Sequence, residues 1–181
     1  KQYDTLKTAI DSSIQSVIDQ GTFISGPQVR QLEEELAAYT GTKHCIACGN
    51  GTDALSMALM AWSIQEGDAV FVPDFTFFAT GEVVSFEGAT PVFVDVDKDT
   101  LNMDPVRLEE AIQSVLSEGK LTPRVIIPVD LFGLPAPYPQ IRKIADEYGL
   151  KVLEDGAQGF GGMLKGQRAC SFGDISTTSF F

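Results

Sequence analysis

The apolar run Lys151-Val152-Leu153 ends in two adjacent acids, Glu154 and Asp155, and then breaks into Gly156, Ala157 and Gln158. A carboxylate fixed where a strand gives out is partly desolvated, and its attraction to a cation grows as the effective dielectric falls. In such a place Asp155 suits a protonated ring nitrogen. The structural alternative makes Asp155 a turn residue or helix cap and Glu154 an ordinary neighbour, a solvated or packing charge.

Two further stretches carry chemistry. In CGNGTDAL, Gly49 and Gly51 allow a sharp turn that presents the N–H groups of Thr52 and Asp53 at a helix N-terminus, where an anion, above all a phosphate, is favoured. The same letters spell G-x-G-x-x-A, with Asp74 some way on, which is a dinucleotide fingerprint if a strand precedes it. The plain reading is a strand-to-helix turn capped by Thr52 or Asp53. In VPDFTFFAT, Phe75, Phe77 and Phe78 surround Thr76. Aromatics so spaced serve a core, unless one of them on a rim stacks on a flat heteroaromatic ring.

Other chemistries are poorly supported. Cys45 and Cys48 form a C-x-x-C, but KHCIACG has the character of a strand and points to two buried structural thiols. His44 is the single histidine, so no metal site is expected. With 13 basic and 25 acidic residues the formal charge is −12, which opposes attraction to nucleic acid and anionic lipid. Three cysteines make no disulfide framework, and no apolar run reaches the roughly 18 to 20 residues that cross a bilayer. A cytoplasmic protein is expected.

The elements that position these groups follow from periodicity. Leu6, Ile10, Ile14, Val17 and Ile18 predict a helix stopped by Gly21, and a second helix runs from Pro27 to Gly41. Apolar runs then alternate with helical segments: HCIAC, Thr52 to Ile64, AVFV, Thr76 to Glu87, PVFV, Pro105 to Ser117, RVIIPV, Pro137 to Tyr148, and KVLED. This alternation predicts an α/β layer fold, a mostly parallel sheet covered by helices on both faces, in one domain. MLKGQRA predicts a tight hairpin around Lys165-Gly166, and SFGDISTTSFF a further strand. Ligands of such sheets bind beyond the strand ends, so the loops at 49–53, 73–78, 130–137 and 154–162 form one rim.

GNGTDAL, PDFTFFAT, VDLFGLPAPYPQIRKIADEYGLKVLEDGAQGFGG and SFGDISTTSFF, in this order, resemble the DegT/DnrJ/EryC1/StrS sugar aminotransferases from Ser25 onward. The resemblance implies a fold-type I aminotransferase large domain and pyridoxal 5'-phosphate (PLP) as cofactor. It assigns Thr52, Asp53 and Ser179 to the phosphate, Phe77 to stacking on the ring, Asp155 to the pyridinium nitrogen and Gln158 to the oxygen side of the ring. It implies an amino acid donor, glutamate above all, and a nucleotide-linked keto sugar as acceptor, with a leaning to a UDP-linked 3-keto aminosugar acid in polysaccharide biosynthesis. A homodimer with shared active sites is implied as well.

In this family the lysine that anchors the cofactor follows the SFF segment by a few residues, which places it just beyond Phe181. Lys165, in the hairpin turn, is not in a matching place. Residues 1–181 are therefore expected to be the N-terminal part of the large domain, with a small C-terminal domain outside this chain and little activity by themselves. Gly26 and the 25–30 turn are expected near the sugar nucleotide. Two alternatives stay open: a nicotinamide-dinucleotide-binding dehydrogenase domain resting on GNGTDA and Asp74, and a non-catalytic sensor that keeps the PLP fold.

Overall fold

The computed structural model describes residues 1–180. The chain forms two compact units, Lys1–Ala47 and the remainder from Cys48.

The first unit holds α1 (Gln2–Gln20) and α2 (Pro27–Thr40), both as expected. Gly21 closes α1 in the left-handed region at φ 66°, which a glycine adopts without a Cβ penalty, and Pro27 opens α2, where its missing N–H costs nothing. The expected strand at 44–48 is not formed. A strand exists only through ladder bonds from a neighbour, and here the Ala47 N–H donates instead to Glu33 Oε1 at 2.7 Å. Ile46 consequently stands 81% exposed. Cys48 is exposed and Cys45 partly so, which corrects the expectation of two buried thiols; neither is in a disulfide.

The second unit runs α3 (Gly51–Ala61), β1 (Asp68–Pro73), α4 (Ala79–Phe86), β2 (Thr90–Val94), α5 (Pro105–Glu118), β3 (Thr122–Ile126), α6 (Tyr138–Tyr148), β4 (Lys151–Asp155), β5 (Met163–Leu164), β6 (Gln167–Arg168) and β7 (Ile175–Thr177). Five strands make a sheet in the order β2-β1-β3-β4-β7, every pair parallel. The hairpin of β5 and β6 turns at Lys165 (φ 51°) and Gly166 (φ 85°), the two left-handed residues that a type I′ turn requires.

Strand alternation divides the core. Phe71, Ile126 and Val152 face α5 and α6 with Leu108, Ile112 and Ile141, while Val70, Val125 and Leu153 face α3 and α4 with Leu59, Val83 and Val84. Both faces are covered, which is why the strands read as continuous apolar runs. This is the fold-type I α/β architecture that the resemblance implies. Along β4 the alternation sends Glu154 to the α5–α6 face with Val152, and Asp155 to the α3–α4 face with Leu153.

Two boundaries differ from expectation. Helix α4 begins at Ala79 instead of Thr76, because the Asp74 N–H still bonds Val94 O of β2 at 3.0 Å and the chain needs residues 75–78 to turn. The RVIIPV run leaves the regular ladder after Ile126, since Pro128 has no N–H to give. Its backbone stays alongside β4 all the same: Asp155 N donates to Pro128 O at 2.9 Å, and Asp130 N to Asp155 O at 3.0 Å.

Candidate active site

Asp155 is the last residue of β4 and only 5% exposed. Its Oδ2 accepts from Thr80 Oγ1 at 2.8 Å and its Oδ1 from Ala157 N at 3.2 Å. Burial pushes the carboxyl above its ordinary value, and those two hydrogen bonds oppose the rise. Among the described residues no lysine or arginine pairs with it. A carboxylate so placed gains strongly from a cation that arrives with a ligand.

Glu154 is neither solvated nor at the surface. It is 0% exposed, and its carboxylate accepts from Cys170 N, from Phe172 N at 2.6 Å, from Gly173 N at 3.2 Å and from Ser176 Oγ at 2.7 Å. Strand alternation alone separates the two acids, one toward the rim and one into the loop that leads to β7.

That loop delivers a second contact. Gly156 N bonds Thr177 O at 2.9 Å and Thr178 Oγ1 bonds Gly156 O at 3.1 Å, so the chain after β7 runs beside the turn after β4. One residue on, Ser179 reaches α3: a Cβ built on Gly51 would stand 3.1 Å from Ser179 Cβ. Glycine at 51 therefore permits Ser179 to close on the first turn of α3. The helix is capped by Asn50, not by Thr52 or Asp53. Asn50 Oδ1 accepts the Asp53 N–H at 2.9 Å, and Asn50 Nδ2 donates to Asp53 Oδ2, also at 2.9 Å. The Asp53 amide is thus taken. Among the described residues the N–H groups of Gly51 and Thr52 bond to nothing else, and these, with Ser179 beside them, form the cradle.

The aromatics stand on the rim and not in the core. Phe77 is 70% exposed, and Phe75 and Phe78 are exposed as well. Phe75, Thr76, Phe77, Leu131, Phe132 and Gln158 line a cavity of about 200 Å³. Phe75 meets Phe132 edge to face with ring centroids 6.4 Å apart. Gln158 Oε1 accepts from Phe132 N at 2.8 Å, which fixes the amide against the loop after β3. Sequence reasoning missed Thr80, Asn50 and Phe132. Asn50 could have been found as a preferred N-cap residue ahead of the helical run, whereas the Thr80–Asp155 bond spans 75 positions and has no local signal. Phe132, at φ 55°, occupies a backbone region that bulky residues rarely adopt. Lys165 is exposed in its hairpin turn, Gly26 precedes α2 in the first unit, and the lysine expected past Phe181 lies outside the described residues.

A match to the DegT/DnrJ/EryC1/StrS aminotransferase family runs over residues 4–181. The chain belongs to this family. Among similar proteins, the UDP-2-acetamido-2-deoxy-3-oxo-D-glucuronate aminotransferase of Pseudomonas aeruginosa is 46% identical over 182 residues, covering 99% of this chain and 48% of the relative. The UDP-N-acetyl-3-dehydro-alpha-D-glucosamine 3-aminotransferase of Acidithiobacillus ferrooxidans is 47% identical over 178 residues, 97% of this chain and 46% of the relative. The crystal structure of a DegT DnrJ EryC1 StrS aminotransferase from Brucella abortus superposes with a TM-score of 0.98 at 48% identity, over 99% of this chain and 48% of that one. The chain spans about half the length of the curated relatives it matches. PLP is the cofactor of the family. The strand-end cradle suits it: unclaimed amides beside Ser179 for a phosphate, an exposed phenyl ring for a flat heterocycle, and a buried carboxylate without a cation for a ring nitrogen. Family membership sets aside the dehydrogenase reading, and so does the local fold, because no strand leads into GNGTDA among the described residues.

Proposed function

We propose that this chain is the N-terminal portion of the cofactor-binding large domain of a PLP-dependent aminotransferase, which moves an amino group from an amino acid to a nucleotide-linked keto sugar. The observation that carries the reading is Asp155, a buried strand-end carboxylate held by Thr80 and facing no cation among the described residues. When bound, PLP supplies the electron sink for a proton lost from the carbon that bears the amino group. Asp155 holds a proton on the ring nitrogen and keeps that sink deep. Thr80 and the Ala157 amide fix the carboxylate in place. Phe77 covers one face of the ring, and Gln158, held by the Phe132 amide, stands on its oxygen side. The amides of Gly51 and Thr52, with Ser179, take the phosphate, while Asp53 holds the turn through Asn50.

Within this class the reading extends to a UDP-linked 3-keto aminosugar acid as acceptor, glutamate as donor and a homodimer in the cytoplasm. The support for UDP is the likeness to the Pseudomonas and Acidithiobacillus aminotransferases. Other relatives include a dTDP-linked amino-sugar transaminase and a GDP-perosamine synthase, so the base is the first variable to test. That no cysteine is in a disulfide among the described residues agrees with a reducing compartment, and among the same residues no helix is long and apolar enough to cross a membrane.

The test is an absorbance titration of the full-length protein with PLP and then with glutamate. The visible band of the loaded protein is expected to give way to the near-ultraviolet band of the amine form, and a UDP-linked 3-keto sugar to restore it. Asp155→Asn is expected to lower kcat by about two orders of magnitude while PLP affinity changes by about tenfold or less. A protein that binds PLP but shows no spectral change with any amino acid refutes the aminotransferase.

A further inference from the structure

Behind the Asp155 turn lies a second carboxyl that the cofactor site does not use. Asp130 follows Val129, which pairs with Asp155 in a parallel bridge, so Asp130 and Glu154 project as diagonal neighbours from the same face of the sheet. Both are 0% exposed. Asp130 Oδ1 accepts from Tyr138 OH at 2.7 Å and from Ala136 N at 3.1 Å. Its Oδ2 is buried with no partner that could donate to it, and the group within hydrogen-bonding reach is the Glu154 carboxylate. Two apposed carboxylates without a cation do not both ionise. The groups that face Asp130 are Glu154 on β4, Tyr138 at the start of α6 and Cys170 in the loop before β7, none of them a cation.

The donors decide which of the two acids keeps the charge. Glu154 accepts from three backbone amides and the Ser176 hydroxyl, an arrangement that stabilises a carboxylate. We propose that Asp130 is a neutral carboxylic acid whose Oδ2–H donates to Glu154, and that this acid–carboxylate pair positions the turn carrying Asp155 and Gln158. The shared proton turns the unpaired oxygen into a donor and removes the repulsion. Burial, and after it the Glu154 charge, push the Asp130 carboxyl up to about 7, in the same direction.

Three contacts transmit the pair to the site. Asp130 N holds Asp155 O at 3.0 Å. A Cβ built on Gly159 would stand 2.5 Å from Asp130 Oδ2, so the turn after Asp155 lies flat against the acid. Two residues past Asp130, the Phe132 amide holds Gln158 Oε1. Asp130 is thus a positioning residue. The positioning half of the proposal rests on the cofactor reading above, and the protonation half does not.

The experiment takes the full-length protein with its aspartates labelled at the carboxyl carbon and follows the infrared carbonyl stretch of protonated carboxylic acid against pH. The wild type is expected to show the band at pH 6 and to lose a component of it as pH rises through about 7, and Asp130→Asn to lack that component. A wild type without the band at pH 6, or an Asp130→Asn protein that keeps all of it, overturns the proposal. The fold should register the same proton. A carboxyl raised from 3.8 to about 7 weakens the fold as pH climbs between those values, so wild-type thermal stability falls over that window. Asp130→Asn donates an amide N–H to Glu154 without a proton to lose, and removes that slope. It is expected to keep PLP affinity within about threefold, whereas Asp130→Ala loses about tenfold. Equal loss of affinity in both variants overturns the positioning role. Should Asp130→Asn not fold, the wild-type infrared titration decides alone, with the band missing at pH 6 as the refuting result. A wild type that shows the band but binds no PLP would refute the cofactor reading and leave the acid pair standing.

Discussion

Asp155 is held by one hydroxyl and one amide in a site that burial makes hostile to its charge. Thr80→Val removes the hydroxyl and leaves Asp155 Oδ2 without a donor, at a cost of about 1–3 kcal/mol in the ligand-free protein. The loss depends on pH with a definite sign. Thr80 stabilises the charged carboxylate, so the variant's deficit is small where Asp155 is protonated in both proteins and grows as pH rises and the carboxyl ionises. Urea denaturation of both proteins over a pH series checks this, and a deficit that shrinks as pH rises contradicts it. In the proposed reading, a cationic ring nitrogen would bring the counter-charge that is absent beside Asp155 among the described residues.

At the scale of elements, the site depends on how closely β4 and β7 approach around Glu154. Gly173 sits where the loop folds onto the strand: a Cβ there would run into Ile175 O and stand 2.9 Å from both Glu154 N and Val152 O. These are backbone atoms that cannot swing away. Gly173→Ala is expected to destabilise the fold by about 1–3 kcal/mol and to weaken PLP binding with it, since Ser179 is carried by the same segment. Gly119→Ala is the control. Gly119 has φ +65° with open space around it, so that variant meets only backbone strain of about 1–2 kcal/mol and leaves PLP affinity unchanged. Chemical denaturation and a PLP titration of the two variants separate a steric effect at the site from a general loss of stability.

Across the whole molecule, cofactor binding and folding are linked. A ligand that binds only the folded state stabilises it by mass action, by about 2.7 kcal/mol at a hundredfold excess over Kd. The full-length protein is expected to melt higher as PLP is added and to respond less to pyridoxal, which lacks the phosphate that we propose the Gly51–Thr52 amides and Ser179 receive. Calorimetry at graded concentrations checks it. A response to pyridoxal equal to that to PLP would remove the helix terminus from the site. With a formal charge of −12 spread over the chain, the proposed phosphate capture would rely on oriented amides and a hydroxyl more than on net attraction.

The alternation of elements is legible in the residues alone, because apolar periodicity and the Gly and Pro punctuation at Gly21, Pro27, Gly41 and Pro105 act through neighbouring residues. So is the rim on which Phe77, Asp155 and Gln158 stand, since a parallel sheet places all its strand ends on one side. The reading of 44–48 as a strand failed because strand propensity does not supply a pairing partner. Local pattern leaves Glu154 unplaced, because the environment of a side chain depends on what packs on its face of the sheet. The hold of Thr80 on Asp155, the closure of Ser179 on Gly51 and the meeting of Asp130 with Glu154 emerge with the packed fold. Each of these contacts joins residues far apart in the chain, and long-range geometry is the outcome of packing all the layers together, which no local pattern encodes.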